Sequence, residues 1–444
     1  MTNTITDRIA AALDRAPAML HWGAVQSVTD RIAEIAGLAE FGAVGATVAL
    51  RDRADQDVLG EIVGFRGRLA VAMAYDSFVN IGPGCRASLR PAANRISPAM
   101  SWLGRTLGGD SRPLDDGPEL VPGSEPYALA RPAPAPERRG LLGATLDVGV
   151  SALNAFVSCC LGQRLGLFSG SGVGKTTLLG MLARHARADA NVIILVGERG
   201  KELAEFLHKY LTEDLRSRTV TVVATSDQSA IMRRRAVLVA TAIAEFLRDQ
   251  GLNVLYLMDS VTRYAMALRE IALAAGEPPG NGGYPAGVFS ELPKFIERLG
   301  PLAGGSSITA FLTVLVEGDN LNEPVADAVR GFLDGHVLLD RRIADRGRYP
   351  PIDILRSVSR AMPECNTAEQ TRIIAEALRL EAAYQDIEDL YKLSLYKVGT
   401  NGDIDRAIRF HSGLEAALAQ AVNHAVSRDQ AFAELAKRLE DSRS

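Results

Sequence analysis

The stretch GLFSGSGVGKTTLLG, Gly166 to Gly180, sets a glycine-dense turn between an apolar strand and an apolar helix. A phosphate-binding loop needs glycines so that successive backbone N–H groups can turn inward toward phosphate oxygens. It also needs a lysine for the β- and γ-phosphates and a Ser/Thr hydroxyl for Mg2+. Gly170, Gly172 and Gly174 supply the turn, Lys175 the charge and Thr176 the hydroxyl; Ser169, Ser171, Val173 and Thr177 complete the stretch. The helix that follows would point its positive N-terminal end at the anion. The strict pattern G-x-x-x-x-G-K-S/T asks for glycine where this chain has Ser169. A serine lacks bulk and can open the loop where the backbone avoids positive φ. The plainer alternative, a glycine-rich turn with a solvated lysine, is disfavoured by the apolar strand directly before it.

Further strand candidates alternate with helical patterns on either side of this loop. RLGLF (164–168), NVIILV (191–196), TVTVVAT (219–225), NVLYLM (253–258) and ITAFLTVL (308–315) are short apolar runs. Such runs separated by helices predict a largely parallel sheet covered on both faces. Upstream, from Trp22 to about Pro91, short Val- and Ala-rich segments are broken by glycines, as in VLGEIVGFRGRLAVAMAY, with turn signals every eight to ten residues. That texture predicts a small β-barrel or sandwich. Residues 101–140 are rich in Gly and Pro, and RPAPAPERR reads as an extended linker. Residues 364–444 contain no comparable strand and are dense in Ala, Leu, Glu and Arg, which predicts a helical domain. Ile5, Ile9, Leu13, Ala16 and Leu20 share one helical stripe, so a short amphipathic helix is expected before the barrel. The expected division is therefore an N-terminal helix (1–21), a barrel (22–95), a connector (96–140), a nucleotide-binding domain (141–363) and a helical domain (364–444).

Bulk properties narrow the class. The chain has 444 residues, 47% hydrophobic and 23% charged, the make-up of an ordinary globular protein large enough for several domains. A net charge of −4 argues against a protein built to coat nucleic acid. Cys85, Cys159, Cys160 and Cys365 show no C-x-x-C spacing, so neither a disulfide framework nor a zinc site is suggested. No apolar run approaches the roughly 18 residues of a membrane span, and no signal peptide is evident, so a cytoplasmic protein is expected.

Carboxylates at strand ends are the next candidates. Asp259 ends NVLYLM, where it can hold Mg2+ through water or, alternatively, cap the helix that follows. Glu198 follows NVIILV and would share the carboxyl edge of a parallel sheet with the phosphate loop. A carboxylate there can orient and polarise water for attack on the γ-phosphate. Glu202 competes for that role but lies a turn into the next helix and is expected to be solvated. Tyr349 and Arg360, taken alone, read as a core residue and a surface residue.

From Trp22 to about Arg409 the sequence resembles the catalytic ATPase of the flagellar and type III export machines, within the group of rotary ATPase catalytic subunits. The resemblance is carried by GLFSGSGVGKTT, VGERGKELAEF, MDSVTRYAMALREIALAAGEPP, LVEGDNLNEPVADAVRGFLDGHVLLDRRIA and YPPIDILRSVSR. It implies a multidomain α/β protein with an N-terminal β-barrel, a RecA-like P-loop domain and a C-terminal helical domain, assembled as a homohexamer. It implies ATP and Mg2+ as ligands, with Lys175 and Thr176 on phosphate and metal and Glu198 as the catalytic carboxylate. By the same resemblance Arg199 and Arg263 line the site, Tyr349 stacks on adenine, and Arg360 is an arginine finger reaching a neighbouring subunit. The implied partners are a stator-like regulatory subunit at the N-terminal helix, export-gate membrane proteins and cargo–chaperone complexes. The implied location is the cytoplasmic side of the inner-membrane export apparatus. The function expected is ATP hydrolysis driving flagellar protein export, with a virulence-type export ATPase as the nearest alternative. A ring-shaped RNA helicase would need a basic, aromatic barrel surface, whereas Trp22, Phe41, Phe65, Tyr75 and Phe78 are scattered.

Overall fold

The computed structural model describes residues 21–90, 94–316, 318 and 320–443. The expected N-terminal helix lies outside them.

Six antiparallel strands close a barrel: β1 (Trp22–Val28), β2 (Ile32–Ala36), β3 (Thr47–Arg51), β4 (Asp57–Arg66), β5 (Leu69–Ala74) and β6 (Arg86–Leu89), in the order β1-β2-β5-β4-β3-β6. The β4–β5 hairpin turns on Gly67, whose φ of +59° suits the tight two-residue connection between Arg66 and Leu69. Alternate residues fill the interior, among them Val25, Ile35, Val48, Leu50, Ile62 and Ala72. A bulge between Ile62 and Gly64 shifts the register of β4. Ile62 stays inside, while Val63 packs outward with Val71 and Met73 against Ile231, Ala267 and Ile271 of the next domain. Glu61, 1% exposed, pairs there with Arg234. Trp22 and Phe41 are exposed on β1 and a loop, and Phe78 is buried, so these aromatics do not form a single stacking platform.

The second domain is built on a sheet of β7 (Thr106–Gly108), β8 (Arg164–Ser169), β9 (Ala190–Val196), β10 (Thr219–Ala224), β11 (Val254–Asp259), β12 (Ser307–Leu315), β13 (Gly335–Leu339) and β14 (Ile352–Ser359). Its order is β14-β13-β8-β12-β11-β9-β10-β7. All neighbours on that path are parallel except β13 and β14, which run antiparallel. A further two-residue strand, Gly300–Pro301, pairs antiparallel with β12. The helices are α1 (Lys175–His185), α2 (Gly200–Tyr210), α3 (Ala230–Asp249), α4 (Val261–Ala275), α5 (Ala286–Ile296) and α6 (Pro324–Phe332). Strand β9 shows why its sequence is continuously apolar: Val192, Ile194 and Val196 join the core under α3 to α6, while Ile193 and Leu195 join the core under α1 and α2.

The Gly/Pro-rich connector is more than a spacer. Its residues Thr106–Gly108 form edge strand β7 on β10, and Trp102, Leu107, Tyr127 and Leu129 are buried in the core. Glycine and proline density marks turns; it does not show whether the turns dock on a sheet. Helices α7 (Ala368–Lys392), α8 (Gly402–Leu418) and α9 (Arg428–Asp441) form the C-terminal bundle. Their buried positions, such as Ile374, Ala377 and Leu380 or Phe410 and Leu414, recur at helical spacing. Thr367 with Gln370, and Ser427 with Gln430, form capping boxes that start α7 and α9.

Cys160 is bonded to Cys365, joining the strand Cys159–Cys160 to the segment before α7. The sequence suggested no such bridge, because the partners are 205 residues apart and only the folded chain brings them together.

Glu245 and Arg298 are 1% and 3% exposed and meet in a bidentate pair at 2.9 and 3.0 Å. Arg298 also donates to the Leu129 carbonyl at 2.7 Å, tying the connector to the turn after α5. Removing one partner leaves the other charged and buried, so Arg298→Ala should lower the unfolding free energy by about 3–5 kcal/mol. Urea denaturation checks this, and a loss below about 1 kcal/mol would show that the pair is solvated.

Candidate active site

Strand β8 ends at Ser169, and α1 begins at Lys175. Ser169 is the last residue of the strand and does not take positive φ; the positive values fall on Gly172 (+75°) and Gly174 (+110°). Serine is therefore tolerated where the strict pattern has glycine. Among the described residues, none of the backbone N–H groups of Gly170, Ser171, Gly172, Val173 and Gly174 donates to a backbone carbonyl. Gly174 leaves the start of α1 without a side-chain cap. A run of open donors at a helix N-terminus is an anion cradle. Lys175 folds over it, its ammonium 3.4 Å from the Ser169 carbonyl and 3.0 Å from that of Gly170.

The parallel sheet brings the ends of β9, β11 and β12 to this same edge. Thr176 donates to Asp259 Oδ2 at 3.3 Å, and Thr313 on β12 donates to Asp259 Oδ1 at 2.6 Å. Asp259 is 3% exposed, so these hydroxyls orient a carboxylate that water scarcely reaches. The cap of α4 is supplied by Ser260, which accepts from the Arg263 N–H, leaving Asp259 free of that role. Thr313 was missed in the sequence; the second of two threonines within ITAFLTVL, nearer the strand's end, was the available signal.

Glu198 is half-buried just past β9, and its Oε1 faces Arg263 Nε at 3.8 Å. Burial pushes its carboxyl up to about 7, helped by the charge of Asp259 and a hydrogen bond with Glu202, and opposed by Arg263. Gly197 makes room: a Cβ there would lie 2.9 Å from Arg263 Cβ. Glu202 is exposed, as expected, but it also lines the cleft and acts on Glu198.

These groups surround a cleft of about 460 Å³ lined by Ser171, Gly172, Gly174, Lys175, Thr176, Thr177, Glu198, Arg199, Glu202, Asp259, Ser260, Arg263 and Leu315. The donor set suits Mg2+, which keeps several waters and takes one or two protein oxygens beside phosphate. No group of three or more His, Cys, Asp or Glu converges on a metal position among the described residues.

Ser169, Gly170, Val173 and Tyr349 do not line this cleft, and neither does Arg360, which the resemblance sends to a neighbouring subunit. Val173 is 2% exposed and packs in the core, so only its backbone can meet a ligand. Ser169 is buried below the loop and offers the cleft no side chain. Tyr349 is 50% exposed and outside the cleft lining, although the adjoining Pro351 approaches Gly174. Arg360 is exposed at the opposite edge of the sheet, its N–H donating to the Asp334 carbonyl at 2.9 Å.

Comparison with known proteins agrees with this geometry. Residues 149–359 match the ATP synthase alpha/beta family nucleotide-binding domain, and residues 366–437 match the T3SS EscN ATPase C-terminal domain. The flagellum-specific ATP synthase of Caulobacter vibrioides is 44% identical over 438 residues, covering 97% of this chain and 99% of that protein. The SPI-2 type 3 secretion system ATPase of Salmonella typhimurium is 46% identical over 350 residues, covering 79% and 80% of the two chains. A solved structure of the assembled ATPase EscN of enteropathogenic E. coli, in complex with its central stalk EscO, superposes with a TM-score of 0.85 at 36% identity, covering 94% of this chain and 100% of that one. A phosphate cradle of the P-loop type, the barrel before it and the helical bundle after it thus recur together, and the chain belongs to the family of flagellar and type III secretion ATPases.

Proposed function

We propose that this chain is a Mg2+-dependent ATPase that hydrolyses ATP to ADP and phosphate and energises export of flagellar proteins through a type III machine. The observation that carries the reading is the convergence, in one cleft, of open loop N–H groups, Lys175, Thr176, Asp259 and Glu198. Gly170 to Gly174 and Lys175 bind the β- and γ-phosphates, and Thr177, Arg199 and Arg263 complete the lining. Thr176 would hold Mg2+ directly and Asp259 through water; the bound metal supplies neutralisation of the phosphate charge. Glu198 orients and polarises the attacking water. Tyr349 is assigned to the adenine by the family resemblance; it is half-exposed, two residues before Pro351, which faces Gly174.

The assembly proposed is a homohexamer in which Arg360 acts on a neighbour's nucleotide, divided along each chain at the boundaries expected from the sequence, with the connector packed on the nucleotide-binding domain through Trp102, β7, Tyr127 and Leu129. The partners proposed are a stalk or stator-like regulatory subunit, the latter at the N-terminal helix, with export-gate membrane proteins and cargo–chaperone complexes. The work done on cargo is chaperone release and unfolding. No helix among the described residues is long and apolar enough to cross a membrane, and the location proposed is cytoplasmic, at the inner-membrane export apparatus. The flagellar reading is favoured because the flagellar relative is 44% identical across 97% of this chain, whereas EscN is 36% identical across 94% and the SPI-2 ATPase 46% identical across 79%.

Lys175→Ala tests the site. The lysine is the loop's side-chain cation, so its loss should abolish tight ATP binding, measured by titration with a fluorescent ATP analogue. Binding equal to wild type would remove the phosphate-loop assignment.

A further inference from the structure

We infer that Arg341 is a positioning residue that holds the phosphate loop in its anion-binding shape from outside the cleft; the inference rests on the nucleotide-site reading above. The sheet order makes the contact possible. Strand β13 lies beside β8, with Leu338 opposite Phe168, so the segment leaving β13 runs next to the loop leaving β8. Arg341 is in that segment, and its Nη2 donates to the Ser171 carbonyl at 2.8 Å. It does not line the nucleotide cleft. It lines a separate cleft of about 280 Å³, together with Ser169, Asp340 and Arg356.

The direction of that hydrogen bond matters because a trans peptide points its C=O and N–H opposite ways. Drawing the Ser171 carbonyl toward Arg341 turns the Gly172 N–H the other way, and Gly172 lines the cleft. A glycine-rich loop has little of its own to resist a peptide flip, since Gly172 carries no side chain and its Cβ position is open space. Lys175 holds the Ser169 and Gly170 carbonyls at the start of the loop. When its ammonium turns to phosphate, that restraint is given up, and the Arg341 contact at Ser171 remains.

The arginine is itself well anchored. The Asp340 N–H donates to the Pro351 carbonyl at 2.9 Å, fixing the segment to β14. The Asp340 carboxylate is engaged by Arg342 at 2.8 Å and approached by Arg356 at 3.8 Å. Those two cations engage the Asp340 carboxylate, and Arg341 Nη2 is directed to the loop.

The test compares wild type, Arg341→Ala, Arg341→Lys and Lys175→Ala in the full chain. Three readouts are used: steady-state kinetics, binding of a fluorescent ATP analogue, and amide hydrogen exchange of the peptide spanning 169–176 without nucleotide. Arg341→Ala should weaken ATP binding and raise KM about three- to tenfold, the net worth of one hydrogen bond, with kcat changed less than about twofold. Loop amides should exchange faster while the thermal midpoint stays at the wild-type value. Arg341→Lys, which keeps one directed donor, should fall between the two. Unchanged KM and unchanged loop exchange in Arg341→Ala would overturn the inference, as would a fall in kcat at unchanged KM. Lys175→Ala separates the two readings: if it loses ATP while Arg341→Ala behaves as wild type, only the role of Arg341 fails. If Lys175→Ala binds ATP normally, the nucleotide-site reading fails instead.

Discussion

Mixing Arg360→Ala with Lys175→Ala should restore ATPase activity that neither variant shows alone. Strand β14 runs antiparallel to the rest of its sheet neighbourhood. It starts near the phosphate loop, with Ile352 opposite Leu339, and ends at the other edge, with Ser359 opposite Gly335. Arg360 follows it and is tied to Asp334, whose carboxylate is held by Arg164 at the start of β8. The phosphate loop begins at the far end of β8, roughly 20 Å away at about 3.3 Å per residue. An arginine side chain does not span that distance, so Arg360 cannot serve the loop of its own chain. In a ring its edge would face a neighbour, and an arginine delivered across subunits contributes roughly 10³–10⁵ in turnover. Each single variant should lose activity on that scale. Mixed rings contain some interfaces with an intact loop and an intact arginine, and these should work. Arg360→Lys should keep nucleotide binding yet lose turnover, because an ammonium cannot reproduce the forked donors. Mixed hexamers shown to form but remaining inactive would exclude action across subunits.

Glu198→Gln should leave ATP bound and reduce turnover by on the order of 10²–10⁴. The amide preserves size but cannot polarise water as a carboxylate does. Glu202→Gln should retain most activity; the reverse pattern would make Glu202 the catalytic carboxylate. The pH dependence follows from the same environment. With its carboxyl pushed up to about 7, Glu198 is protonated below that pH, so kcat/KM should fall as pH drops through the neutral range. Stability of the nucleotide-free protein should move the opposite way. A carboxyl raised in the folded state favours the fold when protonated, and that advantage disappears as pH rises from ordinary carboxylate values through about 7. Glu198→Gln should therefore raise the thermal midpoint at pH 8 and leave it unchanged at pH 4. A midpoint difference that does not vary with pH would contradict the raised carboxyl.

Local pattern carried a large part of this protein. The five apolar runs read as strands became β8 to β12, because a strand buried on both faces must be apolar throughout. The glycine spacing around Lys175 and the strand-end positions of Glu198 and Asp259 were equally legible, since a parallel sheet necessarily gathers its carboxyl ends on one edge. Composition dense in Ala, Leu, Glu and Arg, with no strand-like run, was enough to read residues 364–444 as helical, the state that α7 to α9 adopt. Other features had no local signature. Whether Thr106–Gly108 joins a sheet depends on β10, more than 100 residues later. The Cys160–Cys365 bond and the contact of Arg341 with Ser171 depend likewise on which strands become neighbours. Val173 has the same place in the motif whether its side chain meets a ligand or a core, and packing put it in the core. Arg360 is the clearest case. Its role was legible only through the resemblance, whereas the antiparallel course of β14, which depends on its pairing with β13, is what sets it at the edge of the sheet away from its own phosphate loop.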